Sequence, residues 1–125
     1  HPYVDRPNLE AVIEAVKLFG GATLGGCQYD TVYQTDEAGV IKTVLPRQQV
    51  FSGASPEAFH LGELHSIYQN ADRDELEKMT SAGALALAHG ISMKVIPTNL
   101  LNLKITHSED MELFTHLADK YFFSE

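Results

Sequence analysis

The chain has 125 residues, 44% hydrophobic and 21% charged, with no apolar run long enough to cross a membrane, the composition of one soluble globular domain with a real core. Nine basic against seventeen acidic residues leave a net charge of −8. That balance argues against a basic face for nucleic acid, and it requires any phosphate site to be built from a few placed cations. The single Cys27 excludes an internal disulfide and suits a reducing, cytoplasmic compartment; with no base beside it in sequence, an inert thiol is expected. The polar first residues carry no signal-peptide pattern, and the chain opens on His1 without a methionine, as a fragment or processed product would.

In chain order, His1 to Arg6 is irregular. Pro7 and Asn8 predict a helix start with Asn8 as N-cap, Leu9, Val12, Ile13 and Val16 its buried face, and Gly20-Gly21 its stop. Ala22-Thr23-Leu24 is a short strand closed by Gly25-Gly26, and these glycines do not match the G-x-G-x-x-G dinucleotide pattern. Tyr29 to Gln34 and Val40 to Leu45 predict a hairpin around Asp36-Glu37-Ala38-Gly39. Much of it is polar on both faces, and such a ribbon is marginal alone, so it is expected to pack on something else, often a second subunit. Pro46-Arg47 ends it, and Gln49-Val50-Phe51 is a further strand candidate.

Ser55-Pro56-Glu57-Ala58-Phe59 has serine, proline and an acid in the order that opens a helix, continued by Leu61, Leu64, Ile67 and Tyr68. Asp72 to Lys78 predicts a charged, exposed helical turn or two, and Ser81 to His89 a small-residue helix stopped by Gly90. Ile91, Met93 and Val95 alternate as a strand up to Pro97. Leu101, Leu103 and Ile105 then alternate with Asn102, Lys104 and Thr106, predicting a strand with one apolar face. Thr106 and Glu109 form a T-x-x-E capping box for a last helix, with Asp110 at helical spacing and Leu113, Phe114, Leu117 and Tyr121 as core stripe. Strands alternating with helices predict an α/β layer structure with a mainly parallel sheet.

Candidate chemistry is sparse. His60 and His65 are spaced wrongly for one helix face, so H-L-G-E-L-H is not a zinc motif, and no G-x-S-x-G is present. Most carboxylates lie in helix first turns or the Asp72–Glu77 run, where capping and solvation explain them. What remains are polar residues at element ends: Arg6, Asp30, Thr31, Arg47, Ser55, Thr80 and Lys104. An arginine fork, a lysine and two or three hydroxyls can together hold a phosphomonoester. Lys104 is the best placed: a strand end beside a helix start is where open α/β sheets bind anions, with a solvated edge lysine as the ordinary alternative. His107 is the one histidine near it.

On these residues the sequence resembles the cytidylyltransferases of sugar-alcohol phosphates, the 2-C-methyl-D-erythritol 4-phosphate and ribitol-5-phosphate cytidylyltransferases. The matching landmarks keep the family's order: Arg6-Pro7, Gly20-Gly21-Ala22, Asp30-Thr31, Arg47, Ser55-Pro56-Glu57-Ala58-Phe59, Thr80, and Asn102-Leu103-Lys104-Ile105-Thr106 with Glu109-Asp110. The last resembles the family's N-[IL]-K-[VI]-T-x-x-[ED]-D. The resemblance implies the C-terminal part of a Rossmann-like nucleotidyltransferase fold, a single unit over 1–125 with a protruding β-arm about 29–47, lacking the N-terminal nucleotide-binding half. It implies Arg6 and Lys104 as catalytic residues, and Thr31, Arg47, Ser55, Thr80 and Lys104 as substrate-binding ones. CTP and a sugar-alcohol phosphate would be the substrates, Mg²⁺ the cofactor, bound mainly by the missing half, and a homodimer by arm exchange the assembly. Such a fragment alone is expected to be inactive. The sequence departs from the family pattern at three places: Tyr3 at the place of a metal-binding aspartate, Ser55-Pro56-Glu57 for T-P-Q, and Ser81-Ala82 for an acidic pair. They keep open a catalytically impaired relative or a binding or assembly module.

Overall fold

Asp5, not Asn8, starts the first helix in the computed structural model, which describes residues 1–99 and 102–122. Its carboxylate accepts from the Asn8 backbone N–H at 2.8 Å and from the Asn8 amide at 3.0 Å, so the expected cap is instead the capped residue. Helix α1 (Arg6–Phe19) has Pro7 in its first turn, where a missing N–H costs nothing, and ends at Gly20 in the left-handed region at φ 85°. Val12, Ala15 and Val16 form its buried face, while Leu9 and Ile13 are exposed.

Strand β1 (Gly21–Cys27) runs through the two glycines expected to close it. A Cβ on Gly25 would collide with the Val95 side chain and stand 2.9 Å from Phe51 Cβ, so the bare backbone lets its neighbours close over it. Strands β2 (Val32–Thr35) and β3 (Ile41–Leu45) pair antiparallel as a separate two-stranded ribbon, as expected. At its tip the Asp36 carboxylate accepts from Ala38 and Val40 N–H groups, and Gly39 takes φ 81°. Tyr33 lies opposite Val44 and Thr35 opposite Ile41, and all three of Tyr33, Ile41 and Val44 are exposed.

The Ser55-Pro56-Glu57 segment is not a helix start. It lies inside strand β4 (Phe51–Phe59), which follows a 3-10 turn at Arg47–Gln49 and pairs antiparallel with β1. Ala54 pairs with Leu24 and Glu57 with Thr23, so Ser55 and Pro56 bulge out of register where proline's missing N–H breaks no ladder bond. Pairing along a whole strand outweighs a local capping signal. Helix α2 (Leu61–Asn70) begins only after His60 and buries Ile67.

Helix α3 (Arg73–Lys78) is capped by Asp72, and α4 (Ala82–Ala88) by Ser81, whose Oγ accepts from the Ala84 N–H at 3.1 Å. Strand β5 (Met93–Thr98) pairs with β1 in parallel and carries Pro97 on a sheet edge. The sheet order is β4-β1-β5, so the sheet is mixed, one antiparallel and one parallel pair, and not mainly parallel. Val12, Ala15 and Val16 of α1 pack with Ala22, Leu24 and Ala54 of the sheet, joined by Ala58 and Ile96. On the opposite face Gly83 of α4 comes close to Glu57 and Met93. The layers are helix, sheet, helix.

Asn102 to Thr106 is not a strand but an unpaired loop. Its alternation nonetheless has a meaning: Leu103 and Ile105 are half-buried, while Asn102, Lys104 and Thr106 are exposed. Helix α5 (Ser108–Phe122) is capped from Asp110 and not from Glu109. Asp110 Oδ2 accepts from the Thr106 N–H (2.8 Å), the His107 N–H (2.9 Å) and the Thr106 hydroxyl (3.0 Å). Along α5, Phe114 and Leu117 are half-buried and Ala118 is buried, whereas Leu113 is exposed. Leu101 and the side chain of Tyr121, both expected in the core pattern, lie outside what is described.

Candidate functional site

Because β1 and β5 run parallel and β4 opposes them, the carboxyl ends of two strands and the start of the third share one edge of the sheet. The connections leaving that edge hold Thr31, Arg47, Asn99 and the Asn102–His107 loop. In open α/β sheets a ligand crevice forms outside the carboxyl ends of the parallel strands.

A cavity of about 340 Å³ is lined by His1, Gly53, Ala54, Ser55, Glu57 and Ser81. Ser55 reaches it from the bulge in β4, and Ser81 from the cap of α4. Glu57 Oε2 accepts from the Gly83 N–H at 3.2 Å and so fastens α4 to the sheet. Asn102 Nδ2 donates to the Gly53 carbonyl at 3.0 Å, fastening the Lys104 loop to the cavity wall. Two serines, a glutamate and a histidine therefore line one space. Ser55 belongs to it directly, while Thr80 is the chain neighbour of Ser81, and Lys104 lies two residues beyond Asn102; both are exposed.

The remaining predicted residues stand elsewhere. Arg47 Nη1 donates to the Tyr29 carbonyl at 2.6 Å, and the Tyr29 hydroxyl meets Asn99 Oδ1 at 3.2 Å, a chain of contacts that braces the arm against the end of β5. Thr31 is exposed just before β2. Arg6 is the first residue of α1, 2.6 Å from Glu10 on an exposed face, and does not line the cavity.

Asp110 is held below the usual carboxylate range, first by the Thr106 N–H, then by the His107 N–H and the Thr106 hydroxyl. It stays ionised and keeps the Lys104 loop joined to α5. Among the described residues, no three His, Cys, Asp or Glu side chains are grouped to hold a metal ion. Asp5 is occupied as the cap of α1, and Tyr3 is only 5% exposed with its ring edge-on to Phe114 at 6.1 Å.

Glu57 and Ser81, noticed in the sequence only as departures from a pattern, line the cavity. Glu57 could not be placed there while its segment read as a helix start. Gly53 and His1 carried no signal at all.

Residues 1–119 match the model of the 2-C-methyl-D-erythritol 4-phosphate cytidylyltransferase family. Among curated relatives, the enzyme of that name from Petrotoga mobilis is 29% identical over 90% of this chain and 48% of its own length. That from Syntrophus aciditrophicus is 30% identical over 90% of this chain and 47% of its own. The crystal structure of the Thermus thermophilus enzyme superposes with a TM-score of 0.72 at 26% identity, covering 94% of this chain and 57% of that one. The Anaerococcus prevotii 4-diphosphocytidyl-2C-methyl-D-erythritol synthase reaches 0.78 at 21% identity, a likeness of fold over 98% of this chain and 55% of that one. The chain thus spans about half the length of the curated relatives it matches. The expected placement in the carboxyl-terminal half is not sustained by these matches, which establish a share of length alone.

Proposed function

Since the chain belongs to the 2-C-methyl-D-erythritol 4-phosphate cytidylyltransferase family, we propose that it works within an enzyme that transfers CMP from CTP to a sugar-alcohol phosphate and supplies the wall that binds the acceptor. 2-C-methyl-D-erythritol 4-phosphate is the acceptor that the relatives' name favours; ribitol 5-phosphate is the competitor to assay beside it. The observation that carries the reading is the join between the Ser55–Ser81 cavity and the Lys104 loop through the Asn102–Gly53 bond, at the carboxyl edge of the parallel strands.

In this reading an acceptor phosphate oxygen attacks the α-phosphorus of CTP in line. A P–O bond forms on one side while the bond to pyrophosphate breaks on the other, and pyrophosphate leaves. Catalysis of such a step rests on positioning and on offsetting charge, not on covalent chemistry by the protein. Lys104 holds the acceptor phosphate with Thr80 as a hydroxyl donor, Ser55 binds the polyol part of the acceptor, and Thr31 and Arg47 approach from the arm of a second copy. Arg6 serves the cytidine side once released from Glu10. Mg²⁺ would be held mainly by residues outside this chain, as the resemblance implies, and would offset charge on the phosphates. A homodimer by arm exchange accords with the exposed Tyr33, Ile41 and Val44.

Tyr3 favours a second reading, a relative that binds the acceptor without turning it over, because a buried ring occupies the position where the resemblance expects a metal-binding carboxylate. Assay of the intact protein for pyrophosphate release separates the two: binding without release supports the second.

Lys104→Ala tests the site itself. A charge-assisted hydrogen bond is worth roughly 1.5–3 kcal/mol, so acceptor binding should weaken by about ten- to a hundredfold while CTP binding changes far less. The measurement is calorimetric titration of each ligand into wild type and variant. Equal losses for both ligands would point to a damaged fold, and no loss for either would leave Lys104 an ordinary surface lysine.

A further inference from the structure

Glu57 stands on a strand, at the cavity, in contact with a helix that belongs to the opposite layer. Its Oε2 takes the Gly83 N–H at 3.2 Å, and this bond crosses from β4 to the start of α4. Gly83 is buried, and a Cβ built on it would lie 2.8 Å from Glu57 Oε1 and 3.1 Å from Met93 Cε, so both carboxylate oxygens are seated against that turn. The turn in question presents Thr80 and Ser81. Ser81 spends its oxygen on the Ala84 N–H but keeps its own proton to donate, and it lines the same cavity as Ser55.

We infer that Glu57 is a positioning residue: by holding the Gly83 amide it fixes the Thr80–Ser81 turn at the cavity that Ser55 also lines and so preorganises the hydroxyl wall for a polyol phosphate. The inference rests on the proposed acceptor role of this cavity. A wall held in place before the ligand arrives does not lose affinity to the ordering of the turn. The carboxylate also makes this wall repel a phosphate. The ligand's hydroxyl-bearing end belongs at Ser55 and Ser81, and its phosphate toward Lys104.

The test compares Glu57→Ala with Glu57→Gln in the intact protein, titrated with 2-C-methyl-D-erythritol 4-phosphate and with CTP, circular dichroism confirming the fold. A glutamine oxygen can accept the same amide bond, whereas alanine cannot. Expected is a loss of about tenfold in acceptor affinity for the alanine variant, recovery to within about twofold for glutamine, and unchanged CTP binding. Undiminished acceptor binding in the alanine variant, or equal losses in both variants, would overturn the inference while leaving the proposed function intact. Failure of the wild type to bind the acceptor would overturn both. Should the alanine variant not fold, Gly83→Ala displaces the same carboxylate by its added methyl group and must give the same selective loss; unaltered binding there would overturn the inference.

Discussion

Asp110 concentrates the most bonding of any described carboxylate and shows how one side chain sets the geometry of a loop. It accepts from two backbone N–H groups and a hydroxyl, all from the two residues that lead into α5. Those bonds are made by the ionised form, so its pKa in the folded protein lies below that in the unfolded chain. The sign follows: the cap's contribution is complete above the unfolded value and disappears as pH falls through the lower folded one. The first turn of α5 should therefore stay protected through mildly acidic pH and fray only below the ordinary carboxylate range. Amide exchange at Thr106 and His107 as a function of pH measures this. Asp110→Asn should leave fraying that no longer depends on acid, whereas fraying that begins near neutrality in the wild type would show that the bonds are not made.

At the level of elements, the central strand β1 decides how tightly the sheet can close. Its glycines are part of the ladder, and Gly25 is overlain by Val95 on one neighbour and Phe51 on the other. Gly25→Ala must push both strands outward, and overpacking of this kind costs about 1–3 kcal/mol. Chemical denaturation of wild type and variant reads that loss, and an unchanged midpoint would mean that the three strands leave room for a methyl group. Gly53→Ala provides the contrast, because a Cβ there meets nothing within 4 Å. The bulge at Ser55-Pro56 belongs to the same scale. Thr23 pairs with Glu57 and Leu24 with Ala54, so the ladder leaves out Ser55 and Pro56, and Ser55 lines the cavity from this bulge.

For the whole molecule, the β2–β3 ribbon stands apart from the three-stranded sheet with Tyr33 paired to Val44, both exposed. An apolar cross-strand pair left in water is a standing drive toward association. Sedimentation of the intact protein at micromolar concentration should give a dimer, and Val44→Asp, which sets a charge on that face, should shift it to monomer with its fold unchanged. A wild-type monomer under those conditions would remove the arm from the proposed site, and with it the second-copy Thr31 and Arg47.

What was legible from the sequence followed from local chemistry. The glycine stop of α1, the hairpin around Asp36–Gly39, the small-residue helix between Ser81 and His89 and the alternation of half-buried Leu103 and Ile105 all depend on neighbours within a few residues, so their signals are written side by side. Local rules also misled where two local solutions competed. Asp5 took the cap expected of Asn8, and Asp110 the role expected of Glu109, because a neighbouring carboxylate reached the free N–H groups first. Only the tertiary structure could turn Ser55–Phe59 into a strand, since the pairing partner that outweighs the helix signal is β1, far earlier in the chain. It alone made Asn102–Thr106 a loop, because a strand needs an edge to pair with and Asn102 instead ties back to Gly53. The cavity was illegible for the same reason: its wall is assembled from His1, a strand bulge and a helix cap, which are brought together by folding.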